Sequence, residues 1–188
     1  MTWDRVHDGR TAFLACMRAL CAPGEPMPLP ALAAMSDVDE LNGAAAVLLA
    51  LLDPGLVLGV AGGPAAQRVA ARVAAETGAE LGAIGVADWV LVHGPAADAI
   101  ERARRGDRSN PERGATVVIA ATAPPVAVRV SGPGVDGTAT AAVPLEAAAL
   151  RAFGTANAES PCGVDLFLTA GEQLLGLPRS LSMQRVVP

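Results

Sequence analysis

Three observations in this 188-residue chain predict an α/β fold, a mixed β-sheet with helices on its faces. From residue 56 to about 121, short aliphatic runs alternate with helical periodicity, the pattern of strands joined by crossover helices. Residues 164–177 read as two apolar strands around a Gly-Glu turn, an antiparallel hairpin. Apolar residues make up 52% of the chain and charged ones 18%, enough for a substantial core. No repeat, low-complexity tract or linker interrupts residues 1-188, so a single domain is expected.

The elements follow in order. Asp8 is placed to cap a helix running to about Leu20, with Ala12, Phe13, Cys16, Met17 and Leu20 on one face and Ala22-Pro23-Gly24 as its stop. Pro26, Pro28 and Pro30 force an extended stretch. Ser36-Asp37 opens a helix to Leu52, ended by Asp53-Pro54-Gly55. Leu56 to Ala61 is a buried strand, Pro64 to Thr77 an Ala-rich helix and Asp88 to His93 a strand. Pro95 to Arg105 reads as a helix, with Glu101 and Arg105 one turn apart as a weak surface pair. Ala115 to Ala121 and Val126 to Ser131 are strands, the second partly exposed, and Pro144 to Phe153 is a last helix before the hairpin.

The totals exclude several function classes. The longest apolar run, Ala44 to Leu52, is nine residues, well short of the roughly 18 a membrane span needs. The opening Met1-Thr2-Trp3-Asp4-Arg5 is charged, so no secretory signal is expected and the chain reads as cytoplasmic. A net charge of -5 argues against nucleic acid as a partner. Cys16, Cys21 and Cys162 make no Cys-x-x-Cys, so neither a disulfide framework nor a metal site is expected. All 14 basic residues are arginine; without lysine there is no internal Schiff base and no Walker-type phosphate lysine.

Candidate polar sites each carry a plain reading beside a functional one. Gly59-Val60-Ala61-Gly62-Gly63-Pro64 joins a strand to a helix, where phosphate sometimes binds, but its spacing is that of an ordinary tight turn. His93 ends a strand with no second ionisable group beside it in sequence. Arg102, Arg104, Arg105, Arg108 and Arg113 form a basic cluster, either a solvated helix end or a grip for phosphate or an acidic partner. Asp165 stands among Val, Leu and Phe, and a carboxylate there needs a partner. Arg179 and Glu172 are its ionisable neighbours in the hairpin. If Gly171-Glu172 is a two-residue loop, strand alternation puts Asp165 and Arg179 on opposite sides; a three-residue loop brings them together. A structural ion pair, a cap and a catalytic acid all remain open for Asp165, and no catalytic constellation is assigned.

Four ordered blocks carry a family resemblance. They are Phe13 through Gly24, a Phe, a helix and a small residue-Pro-Gly; Pro111-Glu112-Arg113-Gly114-Ala115-Thr116; Arg129-Val130-Ser131-Gly132-Pro133-Gly134-Val135; and Ser160 through Arg179, with its Pro-x-Gly-hydrophobic-Asp, Thr-x-Gly-Glu and hydrophobic-Pro-Arg elements. Their order and spacing resemble the PhnH family, a component of the bacterial carbon–phosphorus lyase system. Two positions depart: Cys162 replaces a larger aliphatic residue, and Glu172-Gln173 replaces a frequent Glu-Arg.

The resemblance implies a fold like that of pyridoxal-phosphate-dependent transferases, without the cofactor. It implies a subunit of organophosphonate-degrading machinery, silent as a catalyst on its own. With subunits G, I and L, such a protein supports transfer of ribose 5-triphosphate from ATP to methylphosphonate, releasing adenine. A homodimer that joins subunits G, I and J is implied, with ATP or phosphonate met only inside the complex. Asp165, Arg179, Glu172 and Arg129 are the candidate binding or structural polar residues within the matching blocks. The alternatives are a stand-alone enzyme for a small anionic or phosphorylated substrate, built on Asp165, His93 or the arginine cluster, and a ligand-binding protein built around the Gly59–Pro64 glycine turn.

Overall fold

The computed structural model describes residues 3–29 and 35–186. In chain order the elements are α1 (His7–Cys21), β1 (Met27–Pro28), α2 (Asp39–Leu51), β2 (Val57–Ala61), α3 (Pro64–Thr77), β3 (Glu80–Leu81), β4 (Trp89–His93), α4 (Ala97–Arg102), β5 (Thr116–Ala120), β6 (Val126–Ser131), β7 (Thr138–Val143), α5 (Ala147–Ala156), β8 (Asp165–Ala170), β9 (Gln173–Leu177) and β10 (Ser182–Arg185). Short 3-10 turns at Ile84–Val86 and Pro111–Arg113 punctuate the loops. Pro30, part of the expected extended stretch, lies outside the described residues.

A seven-stranded mixed sheet has the order β1-β9-β8-β5-β4-β2-β3. Strands β3, β2, β4, β5 and β8 run parallel, and β9 turns back antiparallel to β8. Its central strands are buried on both faces, so their side chains divide by alternation. Val90, Val92, Val117, Ile119, Leu166 and Leu168 point to one side. Leu58, Leu91, Val118, Ala120, Phe167 and Leu174 point to the other. Each face buries its own helices: α4 and α5 on the first, α1, α2 and α3 on the second. A second sheet, β10-β6-β7, completes the cover on the α4/α5 side through Val128, Val130 and Val143. Fully burying one such aliphatic side chain is worth about 1.5–3 kcal/mol. The alanines of α2, Ala44, Ala45 and Ala46, let its backbone lie close; a Cβ on Gly43 would come within 3.1 Å of Thr169.

Several local expectations are corrected. Helix α1 is capped by Asp4, whose carboxylate accepts the N–H groups of Val6 and His7, and Asp8 instead accepts from the Asp4 N–H. Those bonds, the one from His7 foremost, hold the Asp4 carboxyl below its usual range. The helix buries Ala12, Ala15, Cys16 and Ala19, and turns Phe13 and Met17 outward at 43% and 47% exposure. Small residues win the buried stripe because Ala19 lies directly against Gly176 of β9, where a bulkier side chain has no room. Helix α4 ends at Arg102, so Glu101 meets Arg105 only through its carbonyl, and the surface pair is Arg102–Asp98. Helix α5 starts three residues late because the Glu146 carboxylate turns back to accept the Ala96 N–H. Strand β7, Thr138–Val143, escapes the sequence reading because its Thr-Ala alternation carries little apolar contrast.

Candidate functional site

The polar centre of the molecule lies at the N-terminal edge of the parallel strands. Asp165 is the first residue of β8 and pairs in register with Thr116 of β5. The hairpin does turn on two residues, since Ala170 faces Gln173 across it. Asp165 and Arg179 nevertheless meet. The ladder ends at Leu166–Leu177, and Pro178, which has no N–H to continue it, takes the chain out of strand alternation. Arg179 then folds over the strand end. Its backbone N–H donates to Asp165 Oδ1 at 2.7 Å, and its Nε and Nη2 donate to Oδ2 at 3.0 and 2.5 Å. Nη1 donates to the Pro111 carbonyl at 2.6 Å and Nη2 to that of Gly114 at 3.3 Å. Four guanidinium bonds use most of the five N–H donors an arginine has. Both side chains are about one-fifth exposed, at 21% and 20%.

A second clamp lies along the same edge. Arg104 Nη2 pairs with Asp88 Oδ1, and its Nε donates to the Arg113 carbonyl at 2.5 Å. Asp88 Oδ2 accepts the Val57 N–H at 2.9 Å, fixing the start of β2. The 104–114 loop is thus fastened at both ends, to β4 by Arg104 and to β8 by Arg179. Nothing in the spacing of Asp88 and Arg104 announces this pair. The Pro-Glu-x-Gly block is visible in the sequence, but its use as a set of backbone carbonyl acceptors is not.

The approach at this edge is very close. Gly114 packs against the Gly163 carbonyl and the Arg179 guanidinium, and Gly163 packs against the Asn157 side chain; neither position has space for a Cβ. Asn157, which the sequence did not single out, accepts the Val164 N–H at 2.7 Å and donates to the Val164 carbonyl at 3.2 Å. It ends α5 and holds the entry to β8.

The remaining candidates are dispersed. Glu172 is exposed at the hairpin tip, where its carbonyl accepts the Leu29 N–H. Arg129 is exposed on β6, opposite Thr140 and Gln184 in the small sheet, and is not part of the clamp. His93 is half-buried at the C-terminal end of β4. Its carbonyl lies 3.1 Å from where a Cβ on Gly62 would stand, so the glycine turn serves close packing of β2 against β4. The arginine cluster divides. Arg102 pairs with Asp98 and Arg104 with Asp88, whereas Arg105 and Arg108 have no carboxylate within 4.0 Å among the described residues. The described residues hold no group of three or more His, Cys, Asp or Glu able to bind a metal, and no helix long and apolar enough to cross a membrane.

Chemically, the Asp165–Arg179 centre holds chain segments together. Its carboxylate oxygens and most of its guanidinium hydrogens are committed to the protein. The four sequence blocks that run along the chain meet pairwise in space. Pro111 and Gly114 bond Arg179. The Gly24 N–H donates to the Gly176 carbonyl at 3.2 Å, and Gly134 rests on Cys21 and Pro23. No curated protein matches the chain. The sequence model of the family described as bacterial phosphonate metabolism protein (PhnH) matches residues 2–184, a span that takes in all four interlocking blocks, and the chain belongs to that family.

Proposed function

We propose that this protein is the PhnH component of a carbon–phosphorus lyase assembly, non-catalytic by itself. With subunits G, I and L it supports transfer of ribose 5-triphosphate from ATP to methylphosphonate, with release of adenine. It self-associates as a homodimer and joins G, I and J in a cytoplasmic complex. One observation carries the reading beyond family membership: the matching blocks spend their polar groups on one another, as a scaffold does, with Asp165 and Arg179 closed off by the Pro111 and Gly114 carbonyls. An α/β core with a mixed sheet and helices on both faces supports the likeness to pyridoxal-phosphate-dependent transferases. The missing lysine supports the view that any such ancestry has shed its covalent cofactor.

The test is reconstitution. The purified chain with ATP and methylphosphonate should release no adenine, and adding G, I and L should start release that depends on this chain. Adenine release by the chain alone returns the stand-alone enzyme. Equal release by G, I and L without it removes the subunit role.

A further inference from the structure

Of the five arginines between residues 102 and 113, Arg102 and Arg104 are paired with carboxylates, and two of the other three, Arg105 and Arg108, line one cleft of about 550 Å³. Its walls are the Arg105–Arg108 turn on one side and Thr155, Glu159 and Cys162 on the other. We propose that this cleft binds a tetrahedral oxyanion head, a phosphonyl or phosphoryl group, on the guanidiniums of Arg105 and Arg108.

The volume is that of a small-molecule site. Neither guanidinium has a carboxylate within 4.0 Å among the described residues, so their charge is not cancelled by direct pairing, although Asp107 and Glu159 line the same cleft. Among the described residues the Arg105 guanidinium donates only to the Glu101 carbonyl, at 3.4 Å. Asp107 also lines the cleft, but its Oδ1 already accepts the N–H groups of Ser109 and Asn110 at 2.8 and 2.9 Å, so it shapes the turn. The walls are fixed to each other. The Arg105 carbonyl accepts the Gly163 N–H at 2.8 Å, Arg105 bridges Gly114, and Asn157 holds Val164. Guanidinium forks fit the oxygens of such a head. Glu159 and the carbonyl end of α5 repel negative charge on the far wall, so the ligand carries its charge at one end. The choice of phosphonyl among such heads rests on the phosphonate reading above; the site itself does not.

Calorimetric titration of the isolated chain with methylphosphonate and with inorganic phosphate tests the site and separates the two sources. Saturable binding of either is expected, and the tighter of the two names the source. Arg105→Gln and Arg108→Gln should each weaken it roughly tenfold or more, and Arg102→Gln should leave it unchanged. Arg108 is exposed, so its variant remains informative even if Arg105→Gln disturbs the fold. Bound ligand should also slow iodoacetamide alkylation of Cys162 and leave exposed Cys21 unaffected. No saturation by either ligand below about 10 mM, full binding by the Arg105→Gln/Arg108→Gln double variant, or an unchanged Cys162 rate overturns the proposal. A chain that binds neither ligand yet supports adenine release in the assembly loses this site and keeps the subunit role.

Discussion

Arg179 illustrates how much a single residue can hold when most of its donors are aimed at fixed acceptors. Truncating its partner, Asp165→Ala, removes three bonds from Arg179 and leaves a guanidinium facing carbonyls alone. With both side chains about one-fifth exposed, water softens the loss below that of a fully buried pair. Urea denaturation near pH 7 should show about 1–3 kcal/mol of destabilisation, and Asp165→Asn a smaller loss because its amide oxygen still accepts the Arg179 N–H. An unchanged midpoint for Asp165→Ala would remove the structural role assigned to the clamp. Cys16 bears on stability in a different pH range. Burial pushes its thiol up to about 12 from 9.0, so the neutral form is favoured in the folded state. Below about 9 that contribution is intact; between about 9 and 12 the unfolded chain loses a proton that the folded chain keeps, so stability falls as pH rises. Cys16→Ser should lessen that alkaline decline, and in the native protein Cys16 should resist iodoacetamide while exposed Cys21 reacts.

At the scale of elements, the clearest strands and helices were legible because the pattern and the packing agreed. Pro64–Thr77 has Pro at its first turn and Gly78 at its end, in the left-handed conformation that glycine adopts most easily. Val126–Ser131 alternates as a half-exposed strand must. What could not be read was set by distant contacts: the alanine stripe of α1 by Gly176, the late start of α5 by Ala96, the meeting of Asp165 and Arg179 by the exit at Pro178. The loop clamp is legible only as a recurring block, since backbone carbonyl acceptors leave no side-chain signature. Two glycines at these elements give opposite expectations. Gly163 has φ +151 and would drive a Cβ into Asn157, so Gly163→Ala should cost at least about 2 kcal/mol and loosen the entry to β8. Gly154 sits within α5, where a Cβ would meet nothing within 4 Å, and Gly154→Ala should raise stability by about 0.4–1 kcal/mol. Thermal or urea unfolding of the pair decides both; equal effects would mean that the close approach at Gly163 is not what holds the edge.

Across the whole molecule, the α/β class with a mixed sheet followed from alternation in the middle and a hairpin at the end, and the structure has both. The strand order β1-β9-β8-β5-β4-β2-β3 was not legible, because nothing local records that the late hairpin returns to the sheet beside β5 and β1. Composition, in contrast, acts on the whole chain without regard to topology. All 14 basic residues are arginine, whose guanidinium stays protonated and does not form an imine with an aldehyde cofactor. Arg105 and Arg108 remain open to the phosphate of pyridoxal phosphate, but no side chain can hold its aldehyde as an imine. Incubation with pyridoxal phosphate followed by borohydride should therefore label only the N-terminal amine. Peptide mapping by mass spectrometry makes the check, and a reduced adduct on any internal peptide would show that this chain has a covalent cofactor site that its composition excludes.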